Sequence, residues 1–258
     1  VLSKLPIKTG GTTVNRYCSS GLQTIAMAAT QIQSGFADCI IAGGVESIST
    51  THGHINEHMF KNEKIAESVP GVYHAIGTTA ETVAKRYNVT RESQDEYALS
   101  SQHRWAEAQN QGLYDDEIIP MKTLMMVKDK ETGEISEVET VVDRDNCNRP
   151  QTTLEGLASL NPVFDPENGS VTAGNASQLS DGASVTMVMN ADKANELGLE
   201  PLAYFRGFTA VGCEPDEMGV GPIYAIPKLL KATGLDIDDI DQWELNEAFA
   251  SQVVYIRD

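Results

Sequence analysis

From Ser20 onward the apolar positions Leu22, Ile25, Ala26, Ala29 and Ile32 recur at three- and four-residue intervals. That spacing lines one face of a helix, and Gly35 supplies a stop. Before it, residues 12–17 alternate in polarity and predict a strand. After it, Asp38-Cys39-Ile40-Ile41-Ala42 is a short apolar run closed by Gly43-Gly44, which predicts a buried strand. Strand, helix and strand in that order predict an α/β layer.

The middle of the chain has another pattern. Residues 50–75 are polar, rich in His, Asn and Glu, and without a period. Thr78-Thr79-Ala80-Glu81 has the form of a capping box, predicting a helix through about Tyr87. A second helix is predicted over residues 91–111, ended by Gly112. Residues 123–142 read as a hairpin turning at Glu131-Thr132-Gly133, and residues 150–166 as turns around a short helix. The α/β character returns with residues 182–189, an Ala/Val/Met-rich stretch that predicts a buried strand, and a short helix over 191–197. Residues 201–212 predict another strand, and residues 223–233 a helix whose Pro227 suits a first turn. Trp243-Glu244-Leu245 leads into Asn246-Glu247-Ala248-Phe249-Ala250 and a helix expected to continue past Asp258. No internal repeat is present.

Composition narrows the function classes. The chain has 258 residues, 41% of them hydrophobic, enough for one large domain or two smaller ones. The formal charge of −18 speaks against a nucleic-acid partner, because phosphate binding wants a basic face. A small polyanionic ligand stays compatible where basic side chains and helix N-termini converge. The four cysteines, Cys18, Cys39, Cys147 and Cys213, show neither C-x-x-C spacing nor a dense disulfide pattern. A reducing compartment and no metal site are therefore expected. No apolar run approaches the roughly 18 residues that span a bilayer. The chain opens on Val1 in mid-pattern, so a missing N-terminal portion is expected, and with it any address signal. Cytoplasm is the default compartment; a mitochondrial or peroxisomal address stays open.

Cys18 is the leading candidate for chemistry. It falls where a strand hands over to a helix, in Val14-Asn15-Arg16-Tyr17-Cys18-Ser19-Ser20-Gly21-Leu22. The thiolate is the nucleophile, and a helix start favours an anion through unpaired N–H groups and the dipole. Small residues after Cys18 let a substrate approach, as in the strand-to-helix nucleophile turn of hydrolases. The alternative is a buried structural cysteine, which is the reading kept for Cys39.

Asn15-Arg16-Tyr17-Cys18-Ser19-Ser20-Gly21 resembles the nucleophile segment of the thiolases, the acetyl-CoA acyltransferases. Ala42-Gly43-Gly44-Val45-Glu46-Ser47 is similar to their next strand and turn. So are Val171-Thr172-Ala173-Gly174-Asn175-Ala176-Ser177 with Ser180-Asp181-Gly182-Ala183, Met218-Gly219-Val220-Gly221-Pro222, and Asn246-Glu247-Ala248-Phe249-Ala250, to later blocks in the same order. The resemblance covers essentially the whole chain. It implies a layered α/β/α fold, incomplete here, with an inserted α+β loop domain. Residues 1–49 with 180–200 would form part of the N-terminal half, residues 50–179 the CoA-binding loop domain, and residues 201–258 the start of the C-terminal half.

The resemblance also implies roles. Cys18 carries the acyl group as a thioester, and Asn246 fixes a water facing the substrate carbonyl oxygen. Ser177 lies near the pantetheine arm, and Arg149 meets the nucleotide end of CoA. On local sequence alone Asn246 and Ser177 also read as cap or turn residues, and Arg149 as a solvated charge. For His74 the family pattern is Tyr-His-Met-Gly-Thr-Thr-Ala-Glu. Here Tyr73-His74-Ala75-Ile76-Gly77-Thr78-Thr79 carries one extra residue, leaving a substrate-side histidine and a surface-loop histidine both open.

The implied reaction is thiolysis of a 3-ketoacyl-CoA, with CoA as substrate and no tightly bound cofactor. The intact protein is expected to be a homodimer or homotetramer. Ala225-Ile226-Pro227 and Phe249-Ala250-Ser251-Gln252 are more similar to degradative than to biosynthetic members. Members carry a further His in a Gly-His-Pro block and a second Cys after the Asn-Glu-Ala-Phe block. Neither occurs in these residues, so the chain is expected to be a partial gene product with little turnover alone. Rival readings are an acetoacetyl-CoA-forming thiolase, a ketoacyl-carrier-protein synthase, and a non-catalytic acyl-CoA or lipid binder.

Overall fold

The computed structural model describes residues 3–258. They divide into two units, each built from separated stretches of chain. The first takes the segments up to His58, Leu179–Val211 and Ala225–Asp241; the second takes Met59–Gln178, Gly212–Tyr224 and Gln242–Asp258.

The first unit is a helix laid on a two-stranded sheet. Helix α1 (Ser20–Gln33) packs on strands β1 (Cys39–Glu46) and β4 (Gly182–Met189). The two strands are antiparallel, with Ile41 opposite Met187 and Gly43 opposite Val185. Ala26, Ala28, Ala29 and Ile32 are buried on α1, and Ala42 is buried on β1. Thr24 ties helix to sheet by donating to the Gly43 carbonyl at 3.2 Å. Gly35, at φ 76°, turns the chain after α1. The short helices α2 (Ile48–Thr51) and α7 (Ala191–Glu196) flank the strands.

Six expectations are corrected here. Residues 12–17 form no strand, because β1 and β4 pair only with each other and leave that stretch without a ladder partner. β1 runs on through Gly43-Gly44 to Glu46 instead of closing there. Neither strand is buried on both faces. Side chains alternate across a strand, and with α1 on one side the opposite face leaves Val45 80% and Val185 74% exposed. Cys39 shares that open face and is exposed, contrary to its reading as a buried cysteine. Residues 201–212 are irregular, not a strand. Helix α8 (Pro222–Thr233) has Pro222 at its first position, and Pro227 lies in its interior rather than in a first turn.

The second unit is mainly helical. Helix α4 (Ile76–Arg86) packs against a 3-10 helix (Pro215–Val220) and against α9 (Ala250–Arg257). Helix α5 (Arg91–Asn110) packs against α9 and α6 (Leu154–Ala158). Ala250 to Val254 are buried without interruption, so α9 is the spine of this unit. Ala80, Val171 and Phe249 form its core, and Tyr87 stacks on Tyr255 at 3.8 Å between ring centres. The hairpin β2 (Met121–Lys128) and β3 (Ile135–Val142) stands out from the helices, and α3 (Glu63–Ser68) precedes α4.

The capping-box expectation for α4 is also corrected. The helix begins at Ile76 with Ala75 as its cap residue. Glu81 is free of any capping duty because its carboxylate is used elsewhere. It accepts from the backbone N–H groups of Ser170 at 2.9 Å and Val171 at 2.8 Å.

Candidate active site

Cys18 is exposed and sits just ahead of α1. The turn that presents it is built from local bonds. Tyr17 adopts φ 46°, a left-handed conformation that costs a bulky side chain energy and marks a constrained turn. Its N–H donates to Asn15 Oδ1 at 2.8 Å, and the Arg16 N–H donates to Ser20 Oγ at 2.8 Å. Ser20 in turn donates to the Tyr17 carbonyl at 2.6 Å, while the Ser19 N–H reaches the Arg16 carbonyl. Ser19 supplies no side-chain cap, and the first turn holds no acidic residue. Among the described residues the N–H groups of Gly21 and Leu22 meet no acceptor. An exposed thiol therefore stands beside unpaired donors at the positive end of a 14-residue helix. Such a start favours a thiolate or an oxyanion over a neutral group.

In the second unit the structure connects three of the other candidates. Asn246 is exposed, in an irregular stretch ahead of α9, and its carboxamide makes no hydrogen bond within the described residues. The Ser177 N–H donates to the Ala248 carbonyl at 2.9 Å, and the Ala250 N–H donates to the Asn175 carbonyl at 2.9 Å. The two stretches thus run together, joined also by the bridge between Ala176 and Phe249. Arg149 lies near them through Gln178, whose side chain donates to the Cys147 carbonyl at 2.9 Å. Arg149, Thr153, Leu157, Gly174 and Gln178 line a groove of about 390 Å³. Gly174 packs closely there: an added Cβ would lie 2.5 Å from Leu157 Cδ2 and displace that side chain.

Arg149 spends one guanidinium nitrogen on its own loop. Nη1 donates to the carbonyls of Asn146, Cys147 and Asn148 at 3.0 to 3.1 Å. That leaves Nε and Nη2 to face solvent. The Ser177 hydroxyl likewise makes no bond within the described residues. His74 lies on the turn before α4, where its backbone N–H donates to the Gly71 carbonyl. Among the described residues no hydrogen bond joins it to Arg149, Ser177 or Asn246. Its charged neighbour is Asp216. That carboxyl is held below the usual range mainly by its hydrogen bond to Arg86, with His74 a smaller contribution.

Several residues that organise the site carry no motif of their own. Gln102 on α5 accepts from the Arg149 N–H at 2.7 Å and from Asn148 at 2.9 Å. Asp95, also on α5, accepts from the Asn175 side chain at 2.9 Å while paired to Arg91 at 2.8 Å. Asn175 Oδ1 in turn accepts from the Thr172 N–H at 2.8 Å. Tyr97 and Ser101 donate to the two oxygens of Glu247. Burial, and then that bond, push the Tyr97 phenol up. In sequence Asp95, Tyr97, Ser101 and Gln102 are polar positions of a helix without a clear apolar stripe. Only the recurrence of 91, 95, 98 and 102 at helical spacing places Asp95 and Gln102 on one face.

The thiolase N-terminal domain family matches residues 1–192, and the thiolase C-terminal domain family matches residues 199–258. A 3-ketoacyl-CoA thiolase of Bacillus subtilis is 46% identical over 257 residues, covering 99% of this chain and 64% of the relative. The dimeric peroxisomal thiolase of Saccharomyces cerevisiae superposes with a TM-score of 0.86 at 38% identity, covering 98% of this chain and 62% of its own. An acetyl-CoA acetyltransferase of Syntrophomonas wolfei superposes with a TM-score of 0.83 at 32% identity, over 99% of this chain and 64% of its own. The chain therefore spans just under two thirds of the length of these relatives. With both domain families matched in order across the described fold, this chain has the thiolase fold and belongs to the thiolase family.

Proposed function

We propose that the intact protein is a 3-ketoacyl-CoA thiolase acting in fatty-acid β-oxidation, with Cys18 as the acyl carrier. The observation that carries this reading is the exposed Cys18 thiol ahead of an uncapped helix, in a chain of this family. The Cys18 thiolate attacks the C3 keto carbon of the substrate. The C2–C3 bond then breaks, its electron pair leaves with the acetyl-CoA carbon, and a proton completes acetyl-CoA. The shortened acyl chain stays on sulfur as a thioester. The sulfur of free CoA attacks that thioester, releasing acyl-CoA and returning the thiolate, which gives ping-pong kinetics.

Asn246 holds a water against the substrate carbonyl oxygen, where negative charge develops. Its unpartnered, exposed carboxamide suits that duty. Ser177 lies along the pantetheine arm, and Arg149 offers its solvent-facing Nε and Nη2 to the nucleotide end of CoA. The groove beside them takes part of that arm, within residues 50–179 as the CoA-binding domain. His74, on the turn before α4, lies near the substrate. The yeast relative is described as dimeric, and we extend a homo-oligomer to this protein. Among the described residues no helix is long and apolar enough to cross a membrane. The cytoplasm is the working compartment, tested by imaging the tagged full-length protein.

Run in reverse, the same site condenses two acetyl units. Similarity to the Bacillus 3-ketoacyl-CoA thiolase supports the degradative direction. The test uses the full-length protein with acetoacetyl-CoA and longer 3-ketoacyl-CoA substrates plus CoA. Thiolysis is expected with all of them, and Cys18→Ala is expected to abolish covalent acyl-enzyme. A labelled acyl group attached at the wild-type level in that variant would remove Cys18 from its role.

A further inference from the structure

We infer that helix α5 positions Asn246 for catalysis through Tyr97 and Ser101, which grip the adjacent Glu247 carboxylate; this rests on the oxygen-side role proposed for Asn246. Residues 242–247 have no regular secondary structure, so no helix or sheet ladder sets the backbone at Asn246. The Asn246 side chain is exposed and makes no hydrogen bond among the described residues, so its placement follows the backbone. What holds that backbone must lie in the neighbouring residues.

The neighbours are held at Glu247 and just beyond it. Toward the C-terminus, Ser177 and Asn175 bond to the backbone at Ala248 and Ala250. Asn175 is itself fixed by Asp95 of α5 at 2.9 Å. At Glu247 the hold is direct. The Tyr97 hydroxyl donates to one carboxylate oxygen, and Ser101 Oγ donates to the other at 2.5 Å. Tyr97 and Ser101 are one helical turn apart and share a face of α5. Hydrogen bonds to an ionised acceptor are roughly twice as strong as neutral ones. Two donors on opposite oxygens fix the plane of the carboxylate as well as its position. Asn246 is the next residue, and a displacement of about 1 Å at a catalytic group can cost on the order of 100-fold in rate. Tyr97 and Ser101 are thus positioning residues that act through Glu247.

A purely structural role, tying α5 to α9, would give another signature, and a double-mutant cycle in the full-length protein separates the two. Tyr97→Phe with Ser101→Ala is expected to lower kcat for acetoacetyl-CoA thiolysis about 10-fold and to leave the KM for CoA within about twofold. In an Asn246→Ala background, the same pair is expected to change kcat by less than about twofold, because no carboxamide is left to aim. Glu247→Gln, which keeps one acceptor oxygen, is expected to fall between. Wild-type kcat in the pair while Asn246→Ala is crippled would overturn the inference and leave the reading of Asn246 standing. Equal fold-losses in both backgrounds, tracking a lower Tm, would overturn it as a stability effect. Wild-type kcat in Asn246→Ala would overturn both. Tyr97→Phe alone, which keeps the ring and removes only the hydroxyl, carries the cycle if the pair does not fold.

Discussion

Cys18 is presented by its neighbours rather than by a pocket of its own. Tyr17 in the left-handed region turns the chain, and Ser20 closes the turn by bonding to both Arg16 and Tyr17. Tyr17→Val puts a β-branched side chain in that conformation, which costs about 1–2 kcal/mol. It is expected to slow acylation of Cys18 in a single-turnover assay. Asn246→Ala is expected to lower kcat on the order of 100-fold, the usual scale for loss of an oxyanion donor, read by steady-state thiolysis. Cys18 was legible as a candidate nucleophile because its signal is local: a thiol, small residues and a helix start lie within a few positions. Glu81 was not legible in its true role. Its spacing from Thr78 matched a cap, yet its partners, Ser170 and Val171, lie far along the chain. Glu81→Ala would leave those N–H groups without their acceptor. It is expected to cost about 1–3 kcal/mol, measured as a lower denaturant midpoint.

At the scale of elements, periodicity placed α1, α5, α7 and the β2–β3 hairpin close to where they stand. These elements close their own hydrogen bonds, and their caps are short-range. Thr90 caps α5 by accepting from the Ser93 N–H at 3.2 Å. Thr90→Ala is expected to cost about 1 kcal/mol, again read from chemical denaturation. The start of α4 was misplaced because tertiary packing sets it. Gly77 lies in its first turn, where an added Cβ would come within 2.0 Å of the Phe164 ring. Phe164 in turn packs edge-on against Phe249. Gly77→Ala is therefore expected to destabilise by about 1–3 kcal/mol through overpacking. Residues 12–17 and 201–212 show the opposite limit, since strand propensity is not realised without a neighbouring strand to bond. The same reason leaves β1 and β4 half-covered, with one helix on one face.

At the scale of the molecule, charge is unevenly used. Asp216 sits well below the usual carboxylate range because Arg86 hydrogen-bonds it, and Asp165 does so because of Lys85. Asp181 is lowered by the Ser49 hydroxyl and N–H. A carboxyl with a depressed folded-state value adds stability that is fully present above its unfolded value, near pH 4, and lost as pH falls through the folded value. The thermal midpoint is therefore expected to change little from these groups between pH 7 and 5 and to fall below about pH 4. The exposed pairs should weaken further in high salt. The sequence by itself determined the family, most of the helices, the candidate nucleophile and the acidic charge of the chain. Each of these is written in residue identity and short spacing. Tertiary structure alone decided that polar side chains of α5 reach Arg149, Asn175 and Glu247 together. Those residues are scattered from 149 to 247, and only folding converts that separation in sequence into hydrogen-bond distance.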